Sequence, residues 1–278
     1  WPMGGEWWGG TDDAESIRTI HRAQELGVTL FDTAEAYAAG HAEEVLGKAL
    51  VGRRADAIIA DKVAPNHFEP AQIREAFEAS CRRLQTDYID VYFLHWPNID
   101  VPISQAMSTL EELRAEGRIR AIGVSNFTSD EMRAASEHGQ IDVLQPPYNM
   151  FWRFIEGDQL PYSQDNGIGV MAYSGLAQGL LTGDLTRDTK FPEGDNRPTT
   201  VLFQPGTYER CLDAVEALRP IAARAGLTVP QLAIAWLLSR PGVSTVLVGA
   251  RTVPEIEENV VGADTTVSAE DMAAADAA

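Results

Sequence analysis

The sequence predicts an α/β protein, a single (β/α)8 TIM barrel with extra helices in its C-terminal part. Short β-branched or aliphatic runs alternate with helix-length amphipathic segments along the whole 278-residue chain, and no linker composition separates them. The apolar runs also stop at polar or reactive residues, which in TIM barrels gather at the carboxyl ends of the strands. Residues 1–278 are therefore expected to form one domain with its reactive groups at one rim.

The predicted strands are these short apolar runs. The first would be residues 1–3, so the chain is expected to begin inside strand one, before a loop rich in Gly and Trp. The second, at 28–32, ends abruptly in Asp32 and is followed by Tyr37. The remaining strands are predicted at 57–62, 89–95, 119–124, 141–145, 168–173 and 245–248. This gives the eight strands of a closed barrel.

The segments between the strands carry helix signals. Asp12 or Asp13 can cap the first helix, Gly27 can end it, and Pro70 opens another. Helices are predicted at 14–26, 43–50, 70–84, 103–116, 129–138, 156–166, 208–225, 229–239 and 254–261, with an acidic C-terminal helix capped by Ser268. The longest irregular stretch, 183–205, is expected to be a surface loop, with a lid as one interpretation.

Composition excludes several classes of function. The formal net charge of −19 would repel nucleic acid and anionic membranes, and no basic patch interrupts it. Cys81 and Cys211 build neither a disulfide framework nor a zinc site, and the histidines lack metal-ligand spacing, so no metal is expected. No apolar run approaches the ~18 residues of a membrane span and no export signal is present, so a cytoplasmic protein is expected.

A doubly wound sheet is the competing fold. Such a sheet would need a G-x-G-x-x-G motif after its first strand to bind a dinucleotide, and the chain lacks one. The nearest lookalike of a phosphate-binding loop, from Gly40 to Lys48, has the wrong gap and is followed by Ala49 instead of Ser or Thr. The closed barrel is therefore favoured.

Four side chains at the ends of three successive strands suit one chemical scheme. Lys62 would lower the pKa of the Tyr37 phenol, and Asp32 would keep Lys62 charged and oriented. His95 would donate a hydrogen bond to a substrate carbonyl, while Tyr37 would protonate the oxygen during hydride delivery to carbon. Each residue alone has an ordinary interpretation, such as a turn residue or a rim aromatic, but their joint placement favours catalysis.

This scheme needs a hydride source, and later strand ends can hold a nicotinamide. Ser125 and Asn126 follow one strand and Gln145 ends the next, and their hydroxyl and amide groups suit a carboxamide. Tyr173 offers a flat face on which the ring can stack. In isolation, Ser125 and Asn126 could equally cap a helix, and Tyr173 could simply pack in the barrel.

Six motifs occur along the chain in this order: FDTAEAY, DK at a strand end, LHWP, GVSNF, AYSGLAQGLLTG and VLVGARTVPEIEEN. Together they resemble the aldo-keto reductase superfamily. QPPYN after a strand resembles its bacterial members related to the inositol-operon and general-stress reductases. The resemblance covers essentially the whole chain, and it implies a barrel that binds a nicotinamide cofactor.

The resemblance also implies a role for each matching residue. Asp32, Tyr37, Lys62 and His95 take the catalytic roles, with Tyr37 as general acid in reduction and base in oxidation. The implied cofactor contacts are Ser125, Asn126 and Gln145 on the carboxamide, Tyr173 on the ring, Ser174, Leu176, Gln178 and Gly179 over the pyrophosphate, and Gly249, Arg251, Glu255, Glu258 and Asn259 at the adenosine end. Trp7 and Trp96 would line the substrate pocket.

Three residues depart from the family pattern. Ala38 stands where Gly usually follows the tyrosine, and Asp61 precedes the lysine where Thr is common; strand alternation should aim Asp61 away from Lys62. Glu255 occupies a position where Arg or Gln commonly contacts the adenosine phosphate, which would favour NAD(H). It lies four residues after Arg251, however, and the two would pair at a helix start. NADP(H) is therefore favoured, with NAD(H) as the alternative.

The sequence thus predicts an oxidoreductase, an NAD(P)H-dependent aldo-keto reductase that reduces aldehydes or ketones by direct hydride transfer and reversibly oxidises alcohols or sugars. The alternative is a cofactor-binding regulatory or channel-associated subunit with little or no turnover. A phosphosugar isomerase on the same barrel is disfavoured, because the Tyr–Lys pair suits hydride chemistry better. The expected partners are small-molecule carbonyl or alcohol substrates, without nucleic acid or membrane, and the oligomeric state is left open.

Overall fold

The computed structural model describes residues 12–278, which fold as alternating strands and helices. Seven strands form one sheet in which all neighbours are parallel and the spatial order follows the chain order. They are β1 (Leu30–Asp32), β2 (Ile58–Val63), β3 (Ile89–Leu94), β4 (Ile119–Ser125), β5 (Val143–Gln145), β6 (Gly169–Ala172) and β7 (Val243–Val246). The strand predicted at residues 1–3 lies outside the described residues, so the eighth strand stays a prediction.

The sheet is curled around its inner face. Gln145 at the end of β5 donates from Nε2 to Oδ1 of Asp32 at the end of β1, over 2.8 Å. In a flat sheet these two strands, four positions apart, would be separated by roughly 19 Å. Inward-facing side chains also meet in one apolar cluster: Leu30, Ala60, Val91, Phe93, Ala121, Val143 and Met171. The described strands therefore wrap as in a parallel barrel.

Ten helices of the described range pack around this sheet. They are α1 (Asp13–Glu25), α2 (His41–Ala49), α3 (Pro70–Leu84), α4 (Ile103–Ala115), α5 (Ser129–Ser136), α6 (Gln159–Asp165), α7 (Thr207–Arg224), α8 (Val229–Leu238), α9 (Val253–Asp264) and α10 (Ala269–Ala277). The predicted caps are confirmed: Asp12 accepts from the first-turn amides of α1, and Ser268 accepts from the amide of Asp271 in α10. None of the described helices could cross a bilayer by itself; α7 and α8 reach the needed apolar length only as a pair, and they meet at an 83° bend.

The helix predicted at 156–166 is divided in the structure. A 3-10 turn, Phe154–Gly157, is followed by Asp158, whose φ of −144° and ψ of −76° are not helical, and α6 begins after it. Pro161 has no amide hydrogen and fits only in the first turn of a helix, which explains why α6 starts just before it. The prediction of one continuous helix is therefore wrong.

The predicted irregular stretch 183–205 is a loop with two short 3-10 turns, Arg197–Thr199 and Val201–Phe203. Phe191 in this loop packs edge-on against the rings of Phe203 and Tyr208, at centroid distances of 5.3 and 6.4 Å. The loop thus has an apolar anchor of its own against α7. Its role as a lid stays a prediction.

Candidate active site

The loop after β1 carries Tyr37 toward the end of β2. The amide of Glu35 donates to the carbonyl of Lys62 over 3.3 Å. The Glu35 carboxylate accepts from the amide of Ala64 over 2.6 Å, and the same oxygen lies 2.9 Å from Nδ1 of His67. The backbone and side chain of Glu35 therefore attach the Tyr37 loop to the segment that follows Lys62.

Lys62 is the centre of the site. Its side chain is fully buried, and Nζ lies 2.7 Å from Oδ2 of Asp32, 2.7 Å from the carbonyl of Thr33 and 3.2 Å from the Tyr37 hydroxyl. An ammonium has three hydrogens to donate, so these acceptors from β1 and its loop match its whole capacity. The structure thus brings together three of the four residues that the sequence predicted to be catalytic.

The electrostatics of Tyr37 differ from the sequence expectation. Burial raises the pKa of the phenol, and the positive charge of Lys62 lowers it only in part, while the Asp32 carboxylate raises it again. The net pKa is above its ordinary value because burial outweighs Lys62, although Lys62 itself lowers the pKa as the sequence predicted. Tyr37 consequently holds its proton at neutral pH, which is the state that a general acid requires.

Lys62 remains charged despite its burial. Desolvation lowers the pKa of the ammonium, but the Asp32 carboxylate and the Tyr37 oxygen more than offset this effect, and the net pKa is raised. The ammonium therefore stays a permanent positive charge beside the Tyr37 hydroxyl, as expected from the sequence.

His95 follows β3 and completes the group. Its ring lies edge-on to that of Tyr37, with centroids 5.6 Å apart. Burial lowers the pKa of the imidazole to about 4, and the positive charge of Lys62 contributes in the same direction. The ring is therefore neutral at neutral pH and carries one N–H, which is the form that can donate to a carbonyl oxygen without adding charge.

Gln145 is joined to the catalytic group. Its Nε2 donates to Oδ1 of Asp32 over 2.8 Å and lies 3.2 Å from the sulfur of Met171. Asp32 therefore accepts one hydrogen bond on each carboxylate oxygen, from Gln145 and from Lys62. The sequence assigned Gln145 to a nicotinamide carboxamide, but it did not anticipate that the side-chain nitrogen would contact Asp32.

Ser125, Asn126 and Tyr173 form a hydrogen-bonded chain beside His95. The Tyr173 hydroxyl donates to Oδ1 of Asn126 over 2.8 Å, and Nδ2 of Asn126 donates to the His95 carbonyl over 3.1 Å. Ser125 Oγ donates to the Gln145 carbonyl over 2.9 Å. These bonds fix the hydroxyl and amide groups at the ends of β4 and β5, next to the half-buried Tyr173 ring.

The segment after β6 has an unusual backbone. Ser174 and Gln178 have positive φ angles of 57° and 56°, and Gly179 has a φ of 98°. Asn149 supports the segment, because its Nδ2 donates to the Ser174 carbonyl over 3.0 Å. Leu176 lies within the same turn. All four residues predicted to cover a pyrophosphate are thus in one irregular loop at the carboxyl end of β6.

Left-handed residues are concentrated at this rim. Among the described residues, those other than Gly with positive φ are Ala38, Ala39, Gln85, Asn126, Ser174, Ala177 and Gln178. All but Gln85, which ends α3, lie in loops after β1, β4 or β6. Such conformations cost free energy and cluster at functional sites. The backbone therefore indicates the same rim as the side chains do.

The side chains at this rim are of the kinds that a nicotinamide dinucleotide needs as partners. Gly179 lines the loop after β6, and a Cβ added to it would lie 3.6 Å from Nη1 of Arg197, so a side chain here would fill the space between the loop and a guanidinium. Hydroxyl and amide groups from Ser125 and Asn126 lie beside the Tyr173 ring. This set suits a carboxamide, an aromatic ring and an anionic group in one extended ligand.

At the start of α9 the expected pair is present. The Arg251 amide donates to Oε2 of Glu255 over 2.8 Å, and Nη2 of Arg251 lies 3.6 Å from the other carboxylate oxygen. Glu15 of α1 also faces this helix start, where its Oε1 accepts from the amide of Val253 over 3.4 Å. Two carboxylates therefore accept hydrogen bonds from amides at this helix start.

The other residues assigned to the adenosine end have contacts within the protein. Asn259 is buried, and its Nδ2 donates to the Gly249 carbonyl over 3.4 Å. Glu258 is exposed and accepts from the Thr228 hydroxyl at the start of α8 over 3.1 Å. Asn259 therefore shapes the loop that precedes α9, while Glu258 connects α9 to α8.

Of the two predicted substrate residues, one can be located. Trp96 directly follows His95 and is 49% exposed, so its side chain is accessible to solvent. Trp7 lies outside the described residues. Within residues 12–278, no group of three or more His, Cys, Asp or Glu side chains is arranged to hold a metal ion.

Sequence reasoning missed two residues that position the site. Glu35 attaches the Tyr37 loop, and Asn149 holds the loop after β6. Both lie inside motifs that the sequence singled out, FDTAEAY and QPPYN. The signal was therefore present, but the partners of each side chain come from distant strands and could not be read from the motif.

The sequence model of the aldo/keto reductase family matches residues 1–278. The chain belongs to the aldo/keto reductase family. An aldo-keto reductase of Bacillus subtilis (strain 168) is 42% identical over 268 residues, which cover 92% of this chain and 81% of the relative. An NADH-specific methylglyoxal reductase of Escherichia coli (strain K12) is 35% identical over 292 residues, which cover 96% and 89%. This aldo/keto reductase is therefore an oxidoreductase.

Solved structures agree with this assignment. A glycerol dehydrogenase from Gluconobacter oxydans superimposes with a TM-score of 0.91 at 35% identity, covering 100% of this chain and 88% of the other. An aldo-keto reductase from Klebsiella pneumoniae in complex with NADPH gives 0.82 at 34% identity, with the same coverage. A probable voltage-gated potassium channel subunit beta of Arabidopsis thaliana is also similar, 33% identical over 275 residues, with 91% of this chain and 83% of the relative covered.

Proposed function

We propose that this aldo/keto reductase reduces aldehydes or ketones with a nicotinamide cofactor by direct hydride transfer, and that Tyr37 is the general acid. The observation that carries the proposal is the buried Lys62 ammonium, which is bonded at once to Asp32 and to the Tyr37 hydroxyl. The neutral His95 ring beside Tyr37 gives the site a second donor. The same groups would catalyse the reverse oxidation of alcohols or sugars.

The four residues divide the work on the substrate oxygen. The N–H of neutral His95 orients the carbonyl, and the Tyr37 hydroxyl transfers its proton to the oxygen as negative charge develops there. Lys62 stabilises the phenolate that remains, and Asp32 holds Lys62 in place. A bound nicotinamide supplies the hydride. Positioned proton donors contribute about 10²–10⁴-fold in rate, which is the share assigned to Tyr37.

For the cofactor, we propose NADP(H), with NAD(H) as the alternative. Ser125, Asn126 and Gln145 would hold the carboxamide, Tyr173 would stack on the ring, and Arg251 would face a 2′-phosphate. The NADPH complex of the Klebsiella relative supports NADP(H). The NADH-specific relative and the Glu255 carboxylate beside Arg251 support NAD(H).

The test is Tyr37→Phe, which removes the hydroxyl and keeps the ring. The rate at which reduced-nicotinamide absorbance decreases with a panel of aromatic aldehydes should be lower by about 10²-fold or more, because the general acid has been removed. Cofactor binding, followed by quenching of protein fluorescence, should remain measurable. Tyr162→Phe, on the outer helix α6, is the control and should turn over normally. Full turnover by Tyr37→Phe would overturn the assignment.

A cofactor-binding regulatory subunit is the second candidate, and the likeness to a channel beta subunit favours it. The same experiment discriminates between the two. Tight binding of NADPH or NADH by the unmodified chain, with no turnover across the aldehyde panel, would support the regulatory function. Turnover that depends on Tyr37 would support the reductase.

A further inference from the structure

Asp61 precedes Lys62 on β2, and its side chain lies on the opposite face of the strand, toward α2 and α3. It is fully buried, and its neighbours there are Glu43 and Ser80. Neither carboxylate oxygen of Asp61 has a hydrogen-bond partner of ordinary geometry within residues 12–278. The Ser80 hydroxyl and the Lys62 amide lie near Asp61, but they offset only part of the free-energy cost of burying a charged carboxylate. A buried carboxyl group therefore lies directly behind the catalytic lysine.

The two cations nearest to Asp61 are bonded to other carboxylates. Arg83 of α3 donates from Nε to Oε2 of Glu43 over 2.6 Å. Lys62 donates to Asp32 on the inner face of the sheet. Glu43 is itself fully buried, and its second oxygen also lacks a partner among the described residues. An ionised Asp61 would thus be a buried carboxylate beside another carboxylate, with no cation of its own.

The remaining titratable side chains that face Asp61 are uncharged, and Arg118, the cation that contacts Cys81, is paired with Glu78 over 2.8 Å. Tyr92 of β3 presents a buried hydroxyl without a partner in the described range. Cys81 of α3 also faces Asp61, and Glu35 of the loop after β1 faces Tyr92. Burial, followed by the charge of Glu43, raises the pKa of Asp61 well above its ordinary value.

A proton is the counter-charge that these surroundings can accept. Burying an unpaired carboxylate is costly, whereas a protonated carboxyl group is uncharged and gains an O–H that can donate to an oxygen. Oxygen acceptors without donors are present on Glu43 and Tyr92. The described residues here also do not form a group that could hold a metal ion.

We propose that Asp61 keeps its proton at neutral pH and is a positioning residue for Lys62. With Asp61 uncharged, the electric field at Lys62 and Tyr37 is set by Asp32 on the inner face. The charge of an ionised Asp61 is one of the effects that raise the pKa of Tyr37, and it would weaken Tyr37 as an acid. The protonation itself stands on the buried cluster alone, and only its catalytic consequence rests on the proposed function.

The first test detects the proton directly. Infrared spectra of the full chain at neutral pH should contain a carbonyl band of a protonated carboxylic acid. This band should disappear in Asp61→Asn and in Asp61→Thr, and it should persist in Asp87→Asn, which changes an exposed carboxyl group. A spectrum without the band, or a band that survives in both Asp61 variants, would overturn the proposal.

The second test measures the same proton through stability. The folded state holds a proton that the unfolded state loses above the ordinary Asp pKa of 3.8, so stability must fall as pH rises from there to the raised pKa of Asp61. Relative to Asp61→Asn, the unfolding constant of the unmodified protein should increase about tenfold per pH unit in this window. Parallel pH dependences in urea titrations of the two proteins would overturn the proposal.

The third test addresses catalysis and separates this proposal from the proposed function. The ratio of kcat for Asp61→Asn to kcat for the unmodified enzyme should rise at alkaline pH, where Asp61 ionises, and stay level below that. A ratio that is level at all pH values, together with a positive infrared result, would confine Asp61 to a structural role and overturn the positioning claim. Because the first two tests need no turnover, an inactive protein would count against the reductase function and not against the protonated carboxyl group.

Discussion

Asp32→Asn would test the most connected carboxylate of the site. Asp32 accepts from Lys62 on Oδ2 over 2.7 Å and from Gln145 on Oδ1 over 2.8 Å. An Asn side chain has one oxygen acceptor and one NH₂ donor. Its NH₂ must therefore face one of two donors, and the fully buried Lys62 ammonium loses its charged partner.

The expected loss follows from this geometry. Removing one partner of a buried ion pair costs about 3–5 kcal/mol, and we expect the lower end, about 3 kcal/mol, because Asp32 is still 13% exposed. This corresponds to roughly a hundredfold larger unfolding constant. Urea unfolding followed by tryptophan fluorescence at neutral pH measures it, and the m-value should not change. Asp188→Asn in the exposed loop is the control and should cost less than about 0.5 kcal/mol.

A second substitution makes the prediction specific. Gln145→Glu replaces the donor opposite Asp32 by an acceptor. In the Asp32→Asn background, the new Glu carboxylate can accept a hydrogen bond from the Asn NH₂ group and restores a negative charge near Lys62. We expect it to recover about 1–2 kcal/mol there, and to destabilise the unmodified protein by placing two carboxylates in contact. Strictly additive effects of the two substitutions would refute the account of Asp32 as an acceptor on both oxygens.

Three further predictions concern a buried imidazole, a surface carboxylate and a packed glycine. His95→Gln should remove a pH dependence: the imidazole has a pKa of about 4 in the folded protein against 6.5 ordinarily, so stability should increase as pH rises between these values, and urea titrations of the variant should lack that slope. Glu255→Gln should lower the Kd for NADPH relative to that for NADH by several-fold, whereas Glu257→Gln on the same helix should leave the ratio unchanged; equal shifts would refute the role of the carboxylate at the helix start. Gly123→Ala should destabilise the fold by about 1–3 kcal/mol, because its Cβ would lie 2.3 Å from an aromatic ring of β3, while Gly157→Ala has no atom within 4 Å and should be nearly neutral in thermal unfolding.

Much of the fold was predictable because its signals are local. The helical spacing of apolar residues and the proline at its start placed α3 at its observed bounds, and β4 was placed to within one residue. The alternation of side chains along β2 correctly predicted that Asp61 and Lys62 lie on opposite faces of the strand. The division of the helix predicted at 156–166 was missed, because residues 156–159 around the break at Asp158 are all polar or Gly and carry no apolar spacing signal.

The sequence was sufficient to predict which residues form the candidate site, but not the pKa values of those residues. The sequence by itself determined that Asp32, Tyr37, Lys62 and His95 meet, because the carboxyl ends of neighbouring parallel strands share one rim. Only the tertiary structure decided that burial outweighs Lys62 and raises the pKa of Tyr37. It also decided which groups surround Asp61. Strand order is encoded in local patterns, whereas desolvation depends on every element packed around a group, and those elements come from distant parts of the chain.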